Sequence, residues 1–577
     1  MLRRIKKHSL KSSTSTTSSA LSRPLIYGLL LILVIISALP TLRLLSQALI
    51  DLSWGGDSSS SLAKILSDSN TWKALWHSIY TSFMAMCVSL LLGAGLAFFI
   101  SLTDIRAKAL WVFMFMLPMM IPPQVMALSW LQLMGPNSVL LKSIGMAPPL
   151  GSKQPLYSAW GIILLMGVQH APLVFLTLRA NLLNLPKELI EAARLSGASQ
   201  YKVVRDMILP LCKNGLWAAA AIAFLSALGN FGIPAMLGIP VSYYVLPTLI
   251  YQKMADFGPT MINEVSSLSL LIAVLAVAVV SIQQHFQKRM ALTGLPGRPL
   301  AFNLGPWKIV SEVTMIVILM AILVVPMLAL LASSLVPAQG IALTWNNLTL
   351  SSYEQIVMSQ SITWRAFKNS FILASSAALI IVLLSLPMVY WFNRDNSRLV
   401  TLSKVLMDIP YALPGVVLSI ACILLFVKPI PLIQLSLYGT LWIILFAYIS
   451  RFFAVGFKPV ISSMMQIDTS LEESAQLCGA SLAQRMRDII IPLLAPAVFA
   501  GFILVFLIAF NELTVSALLW SAGNETIGVL IFNLQESGDV VMAAAVSVVV
   551  VALVASLMFS LTLLSKRLPQ GVIPWQN

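Results

Sequence analysis

Two stretches of the chain repeat one another: residues 189–211 read LIEAARLSGASQYKVVRDMILPL, and residues 471–493 read LEESAQLCGASLAQRMRDIIIPL. Twelve of these 23 aligned positions are identical, at a separation of 282 residues. Prolines repeat as well, at a separation of 292, since Pro118 and Pro122 correspond to Pro410 and Pro414. Self-similarity of this kind indicates two related halves joined in one polypeptide.

The composition indicates what kind of halves these are. The 577 residues are 58% hydrophobic and only 10% charged, whereas soluble globular proteins carry about 25% charged residues. Disorder is excluded as well, because it requires low hydrophobicity. A helix that crosses a membrane needs about 20 mainly apolar residues. Twelve such segments are predicted, at 25–48, 73–101, 109–134, 157–182, 214–237, 265–284, 307–333, 365–392, 404–427, 436–457, 494–520 and 539–564.

Six segments per half predict an all-α, polytopic membrane protein built from two parallel six-helix repeats, because an even number of spans leaves both copies in the same orientation. A turn-rich segment with Gly294, Pro296, Gly297 and Pro299 separates them. The expected organisation is a basic, serine-rich tail at 1–24, a first half at 25–287 with its repeated loop at 183–213, a linker at 288–306, and a second half at 307–577 with its repeated loop at 458–493.

The basic residues predict the orientation of the chain. If the N-terminus is cytoplasmic, 25 of the 36 lysines and arginines fall in cytoplasmic segments. Lysine and arginine accumulate on the cytoplasmic side of membrane proteins. We therefore expect both termini, the linker and both copies of the repeated loop to be cytoplasmic.

The repeated loop follows the fourth span of each half and carries charged residues, so it is expected to lie in solvent. In the first copy, Pro186 suits the start of a short helix, and Gly197 permits a tight bend before a second helix. Such a knob fits a groove on a partner and transmits rigid-body motion. An ordinary folded loop is the alternative for a single copy, but two copies at matching places favour a docking role.

The stretches EAARLSGAS and EESAQLCGAS resemble the EAA coupling motif of ABC importer permeases, and the resemblance extends over nearly the whole chain. It implies the type I permease fold, in a fused form that does the work of two subunits. The second copy departs from the motif at Ser474, a small residue that should still permit docking. The residues that match the motif are Glu191, Ala192, Ala193 and Gly197 in the first copy, and Glu473, Ser474, Ala475 and Gly479 in the second.

The resemblance also implies the partners. Each loop is expected to dock on one of two copies of a cytoplasmic ABC ATPase, while a periplasmic binding protein delivers substrate to the outer loops. The chain would lie in the lipid of a bacterial inner membrane and would bind no nucleic acid. No GxxxxGK[ST] phosphate loop occurs in the sequence, so ATP and Mg²⁺ are expected on the partner subunits. We predict no catalytic residues, no metal ligands and no cofactor on this chain.

Polar residues within spans are costly and are candidates for the translocation path. Asn511 and Glu512 are expected in the middle of the eleventh span, and the repeat places Asn230 at the position of Glu512. Glu512 would bind or repel a cation, or be satisfied by a neighbouring helix. His170, before Pro172, is a further candidate, although a packing role is the stronger interpretation. Arg451 is interpreted as reaching toward lipid headgroups.

The proline pairs are predicted to break the third and ninth spans. Broken helices are tolerated where they line a cavity or are packed by protein. We interpret Pro118, Pro122, Pro410 and Pro414 as candidate gate residues, with a simple kink as the alternative.

The segments NFGIPAMLG and NELTVSALLW, together with the fused layout, look most similar to ferric-iron importer permeases. Permeases for 2-aminoethylphosphonate, thiamine and polyamines resemble the chain too and remain alternatives. An ion-coupled secondary transporter with two parallel halves is the rival from another class, with Glu512 and His170 as a proton relay. A membrane-embedded enzyme would need clustered catalytic residues, which the sequence lacks.

Overall fold

The computed structural model describes residues 23–54, 61–149, 151–183, 185, 187–256, 260–287, 302–358, 361–395, 397–429, 434 and 436–564. These residues form helices throughout, and their β pairing is limited to a bridge between Thr103 and Phe302. Residues 1–22 of the tail, 288–301 of the linker and 565–577 at the end of the chain lie outside the described residues. The all-α, polytopic prediction is confirmed.

The described residues of the first half form twelve helices, several of which are long and apolar enough to cross a membrane. We number them in chain order. They are α1 (Arg23–Gln47), α2 (Ser61–Ser67), α3 (Ser69–Leu102), α4 (Lys108–Met120), α5 (Pro123–Leu133), α6 (Val139–Ser143), α7 (Ala159–Leu183), α8 (Lys187–Leu195), α9 (Gln200–Leu228), α10 (Gly232–Val241), α11 (Leu246–Ala255) and α12 (Met261–Gln283).

The described residues of the second half repeat this order with two differences: α6 has no counterpart, and the four-residue helix α21 takes the place of α10. Its helices are α13 (Trp307–Ser334), α14 (Ser351–Met358), α15 (Ser361–Arg394), α16 (Arg398–Ala412), α17 (Gly415–Phe426), α18 (Leu441–Met464), α19 (Thr469–Leu477), α20 (Leu482–Phe510), α21 (Ser516–Leu519), α22 (Ile527–Glu536) and α23 (Val540–Leu563).

Four predicted spans are not single straight helices; one of them is 494–520, where α20 ends at Phe510 and α21 begins at Ser516. The segments at 109–134 and 404–427 are bent pairs, with 98° between α4 and α5 and 107° between α16 and α17. The segment predicted at 214–237 is also broken, since α9 ends at Leu228 and the chain restarts in α10, which makes an angle of 70° with α11. Hydropathy marks these segments as apolar, but it does not report their direction.

Four π turns interrupt helices of the described chain, at Val34–Ala38, Val204–Ile208, Met320–Val324 and Met486–Ile490. Each π turn ends two residues before a proline, at positions 40, 210, 326 and 492. Proline cannot donate the usual helical hydrogen bond, and the wider turn absorbs the disturbance without breaking the helix.

The first helix of each half packs on the other half. Ser37 in α1 donates a hydrogen bond to the Leu406 carbonyl of α16, and Ser450 in α18 donates to the Ile36 carbonyl. In the other direction, Ser333 in α13 donates to Gln132 Oε1 of α5 over 2.9 Å. The two halves therefore interlock, which brings the broken helices of both to the middle of the protein.

Candidate functional site

The helix breaks of both halves meet at what we call the central junction, formed by residues 120–124, 229–233, 413–415 and 511–515. Asn230 and Glu512 take equivalent positions there. Asn230 Oδ1 accepts a hydrogen bond from the Ile233 amide (3.2 Å), and Glu512 Oε1 accepts one from the Val515 amide (3.0 Å). The prediction that Asn511 and Glu512 lie in mid-helix is wrong, since α20 ends at Phe510. Side chains of this type bond to nearby backbone amides and so end a helix.

Contacts across the junction are reciprocal between the halves. Asn511 Nδ2 donates to the Met120 carbonyl at the end of α4 (3.1 Å). The repeat counterpart of Asn511 is Gly229, and a Cβ added to Gly229 would lie 3.5 Å from the Cβ of Pro414. Each half thus places the end of its fifth span against the helix break of the opposite half.

The proline pairs frame these breaks. Pro118 lies inside α4 and Pro410 inside α16, while Pro122 and Pro414 immediately precede α5 and α17 with extended backbones (ψ 139° and 142°). Proline disfavours a helical conformation in the residue before it, which explains why the chain turns sharply at the second proline of each pair. Any gating action of the four prolines stays a prediction.

Two junction residues were missed or misread from the sequence. Gln169 Nε2 in α7 donates to the Ile121 carbonyl (3.1 Å), and Arg451 Nη1 in α18 lies 3.5 Å from the Leu413 carbonyl. The two side chains are repeat counterparts, and both bond to the carbonyl that precedes a break. Arg451 therefore points to the junction rather than to lipid headgroups. The available signal was a glutamine and an arginine at the same repeat position inside apolar spans.

Several buried polar atoms without partners among the described residues lie at or beside the junction. The Gln124 amide is completely buried, with neither Oε1 nor Nε2 hydrogen-bonded among the described residues. A Cβ on Gly232 would lie 3.5 Å from its Oε1, and a Cβ on Gly528 would lie 3.2 Å from its Nε2. Gln124 thus bridges the two halves. Gln169 Oε1, Asn511 Oδ1 and His170 Nδ1 are also buried without a partner in this part of the chain.

Unpaired buried polar groups are rare because each costs about 1–3 kcal/mol, and their presence calls for an explanation. Three of these atoms are amide oxygens, and the Glu512 carboxylate is nearby at the same junction. Oxygen donors suit hard cations and also accept hydrogen bonds from hydrated solutes. An opening of the junction would present these atoms to a passing substrate.

The repeated loops are separated from the junction by the 29-residue helices α9 and α20, and they expose their motif residues. In the first loop Glu191, Ala192 and Gly197 are exposed, and Ala193 is half-buried. In the second loop Glu473, Ser474 and Gly479 are exposed, and Ala475 is half-buried. The backbone turns through the left-handed region at both glycines, with φ of +85° and +84°. Leu195 and Leu477 are 90% and 89% exposed.

The second loop is held by a polar set that we call the anchor cluster: Tyr390, Arg394, Glu472 and Arg485. Glu472 is only 2% exposed. Its carboxylate accepts hydrogen bonds from Tyr390 and Arg394 at the end of α15 and from Arg485 Nη1 over 3.0 Å. At the repeat positions the first half carries Phe98, Leu102, Ile190 and Val203, all of them apolar.

The first loop contacts the linker instead. The guanidinium of Arg194 lies 5.8 Å from the ring centre of Phe302, and Phe302 pairs with the end of α3 through its amide and the Leu102 carbonyl (2.6 Å). Asp104 accepts a hydrogen bond from the Leu304 amide (3.1 Å) and an ion pair from Lys308 (3.1 Å). The Leu304 amide, followed by Lys308, holds the pKa of Asp104 below its ordinary value.

Residues 89–292 and 388–573 match the family described as the binding-protein-dependent transport system inner membrane component. The chain belongs to this family. The two matched segments fall in the two halves, so that one polypeptide carries the permease unit twice. Membership makes the chain a transport permease component rather than a catalytic enzyme, and a multi-pass membrane protein.

Individual relatives of this permease cover most of its length. A probable ABC transporter permease protein of Sinorhizobium fredii is 25% identical over 87% of this chain and 88% of the relative. A ferric transport system permease protein of Actinobacillus pleuropneumoniae is 23% identical over 86% of this chain and 72% of the relative. A putative 2-aminoethylphosphonate transport system permease protein of Salmonella typhimurium is 31% identical, but over only 28% of this chain and 60% of the relative.

Proposed function

We propose that this permease carries ferric iron, delivered by a periplasmic binding protein, through an ABC importer of the bacterial inner membrane. The observation that carries the proposal is the extent of similarity. The relative named as a ferric permease matches across both halves, 86% of the chain, whereas the relative named for 2-aminoethylphosphonate matches 28%.

The donor atoms of the central junction support a cationic cargo. Glu512 supplies a carboxylate, while Gln124, Gln169 and Asn511 supply buried amide oxygens without partners among the described residues. Ferric iron is a hard cation that prefers oxygen donors. A phosphonate would instead meet the Glu512 carboxylate with like charge. Asn230 lines the same junction from the opposite half, whereas His170 is buried within α7 and keeps the packing interpretation as its alternative.

The repeated loops are proposed to be the coupling surface. Each loop docks on one of two cytoplasmic ATPase subunits, which hold ATP and Mg²⁺, and both chain termini lie on that cytoplasmic side. The exposed leucines at Leu195 and Leu477 support docking, because apolar side chains at a protruding tip gain free energy when a partner covers them. Closure of the ATPase subunits would move the loops and open the junction to the outside.

Transport assays in proteoliposomes test the substrate. The reconstituted importer, with ATP inside, is given a binding protein loaded with radioactive ferric iron, and uptake is compared with that of labelled 2-aminoethylphosphonate, thiamine and putrescine. Iron uptake that depends on ATP supports the proposal. Uptake of one of the organic compounds without iron uptake would reassign the substrate.

The energy source distinguishes the rival class. An ion-coupled transporter would continue to work when ATP is removed and a proton gradient is kept, whereas an ABC importer would stop. Glu512→Gln provides a further check, since it removes the charge at the junction and keeps the shape. We expect iron uptake to fall at least tenfold without loss of ATPase association.

A further inference from the structure

A cavity of about 380 Å³, with several charged side chains in its lining, opens between the start of α3 and α11. This volume lies in the range of ligand pockets, about 300–1,000 Å³. The helix α3 spans 34 residues, or about 50 Å at 1.5 Å per residue. Its other end bonds to Phe302 of the linker, which Arg194 of the first repeated loop contacts. The cavity is therefore at the membrane face opposite the proposed ATPase. Its lining includes Lys73, His77, Tyr244, Lys253 and Asp256.

In the second half, the equivalent position is occupied by a side chain of the protein itself. Hydrogen bonds identify the equivalent residues: Ser78 accepts from the Leu246 amide (2.7 Å), and Ser370 accepts from the Ile527 amide (2.9 Å). Leu246 and Ile527 are therefore equivalent residues, 281 positions apart. This separation is one residue less than the 282 of the repeated loops. Asn369 of the second half takes the place of His77.

With this alignment, Arg365 corresponds to Lys73 and Glu525 corresponds to Tyr244. His77 Nδ1 donates to the Tyr244 carbonyl (2.9 Å), just as Asn369 Nδ2 donates to the Glu525 carbonyl (3.0 Å). The backbones match as closely, because Ser242 and Gly523 both have positive φ, 55° and 91°.

Glu525 fills the site of the second half. Its carboxylate accepts from Arg365 Nε (2.9 Å) and from the Gly523 amide (2.9 Å), and Glu525 is buried. In the first half Tyr244 takes the position of Glu525. The two carboxylates that line the cavity, Asp68 and Asp256, have other partners, the Asn70 amide and Lys253, and the cavity is open beside Lys73.

The charges around the cavity leave Lys73 available. Lys253 is paired with Asp256 (3.4 Å) and Glu264 (3.6 Å), and Asp68 accepts from the Asn70 amide (2.9 Å) at the start of α3. No ion pair within the described ranges includes Lys73, which is exposed. The cavity thus presents an unpaired cation together with the polar His77.

We propose that this cavity receives an acidic side chain of the substrate-delivering binding protein, whose carboxylate pairs with Lys73 as Glu525 pairs with Arg365. The proposal rests on the proposed function, because it requires a binding protein at this face. The binding protein then contacts the two halves differently: it inserts a carboxylate into the first half and meets a closed, internally paired loop on the second.

The test uses the complete importer, this chain with its ATPase subunits in nanodiscs, titrated with its purified, substrate-loaded binding protein. The measured quantity is the binding-protein concentration that gives half-maximal stimulation of ATP hydrolysis. Lys73→Glu replaces attraction with repulsion, and we expect that concentration to rise about tenfold at low salt. The difference between variant and unaltered protein should shrink at high salt, because salt screens charges at an exposed rim.

Two further variants sharpen the test. Tyr244→Glu supplies an internal carboxylate to Lys73, as in the second half, and should also raise the half-maximal concentration. It keeps the test decisive if Lys73→Glu does not fold. Lys368→Glu is the matched control, since Lys368 is an exposed lysine at the same end of the repeat helix α15 and lines no part of the cavity; it should leave the concentration unchanged.

The outcomes separate the alternatives. An unchanged concentration for Lys73→Glu, or an equal rise for Lys368→Glu, overturns the proposal. An effect of Lys73→Glu that appears only in anionic nanodiscs assigns the cavity to a lipid headgroup and overturns it as well. If the unaltered importer shows no stimulation by any binding protein, the proposed function itself fails, which is a different result from normal stimulation that is indifferent to Lys73.

Discussion

Replacing Glu472 by isoleucine, the residue found at the repeat position in the first half, should loosen the second repeated loop. The carboxylate is 2% exposed and satisfies two arginines and one tyrosine. Removing one partner of a buried ion pair costs about 3–5 kcal/mol, because the remaining charge is left uncompensated. Arg394 keeps 29% of its side-chain exposure and recovers some hydration, so we expect the lower end, about 3 kcal/mol.

That free energy corresponds to a more than hundredfold rise in the local opening constant, at about 1.4 kcal/mol per factor of ten. Backbone amides of α19 should exchange with deuterium correspondingly faster, since exchange reports local opening. Amides of α8 in the first loop provide the internal control and should be unaffected. Hydrogen exchange with mass spectrometry resolves the two loops.

The decisive comparison is the replacement of the whole anchor cluster. Tyr390→Phe, Arg394→Leu, Glu472→Ile and Arg485→Val together install the first half's apolar set. A buried ion-pair group replaced entirely by apolar residues of similar size is often neutral in stability. The combined variant should therefore restore most of the protection lost in Glu472→Ile. Equal exchange in both variants, or no effect of the single change, would refute the reasoning.

Three other predictions follow from the site. Gly197→Glu with Gly479→Glu forces side chains into the left-handed region, at about 1–2 kcal/mol per residue, and places charge on both docking surfaces; co-purification of the ATPase should be lost while the spans stay folded. Pro118→Ala with Pro122→Ala should reduce transport if the break is a gate, and unchanged uptake would dispose of that role. Burial alone would raise the pKa of Glu525, but Arg365 and the Gly523 amide hold it below its ordinary value of 4.5. The ionised Glu525 carboxylate therefore stabilises residues 520–526 fully above about pH 4.5, and this stabilisation is lost as the pH falls further. Proteolysis of this loop should be slow at pH 7 and faster at pH 3. Glu525→Gln is the control, since its proteolysis should not change with the protonation of this side chain.

The sequence predicted the spans well and their ends poorly, for a physical reason. The apolar composition of ALGNFGIPAMLG continues across residues 227–238, so hydropathy shows no boundary at Leu228. The helix ends there because the Asn230 side chain bonds to the Ile233 amide, a local contact without a compositional trace. In the same way, α20 ends at Phe510 because the Glu512 side chain accepts a hydrogen bond from the Val515 amide. Proline, by contrast, acts through its own covalent geometry, so the breaks after residues 120 and 412 could be predicted.

The anchor cluster and the cavity beside Lys73 were not predicted from the sequence, for a related reason. The motif directs attention to Glu473, yet the buried carboxylate is that of its neighbour Glu472. Which of the two glutamates is buried depends on which side of α19 faces the rest of the protein, and the motif does not show this. At this cavity, the separation between equivalent residues shifts from 282 to 281. A single fixed offset therefore pairs Tyr243 with Glu525, whereas the hydrogen bonds at Ser78 and Ser370, and those at His77 and Asn369, identify Tyr244 as the equivalent residue.

The two halves agree at the centre and differ at both membrane faces. At the junction, Gln169 and Arg451 make the same bond in each half, because broken helices there must have their carbonyls satisfied in both. At one face, the linker's Phe302 packs on the first repeated loop, where the second loop relies on Glu472. At the other face, Glu525 pairs with Arg365 in the second half, whereas in the first half Tyr244 takes its position and a cavity is open beside Lys73. Fusion into one chain permits this divergence, since each half always meets the same partner half, and a change on one side need not be tolerated on the other.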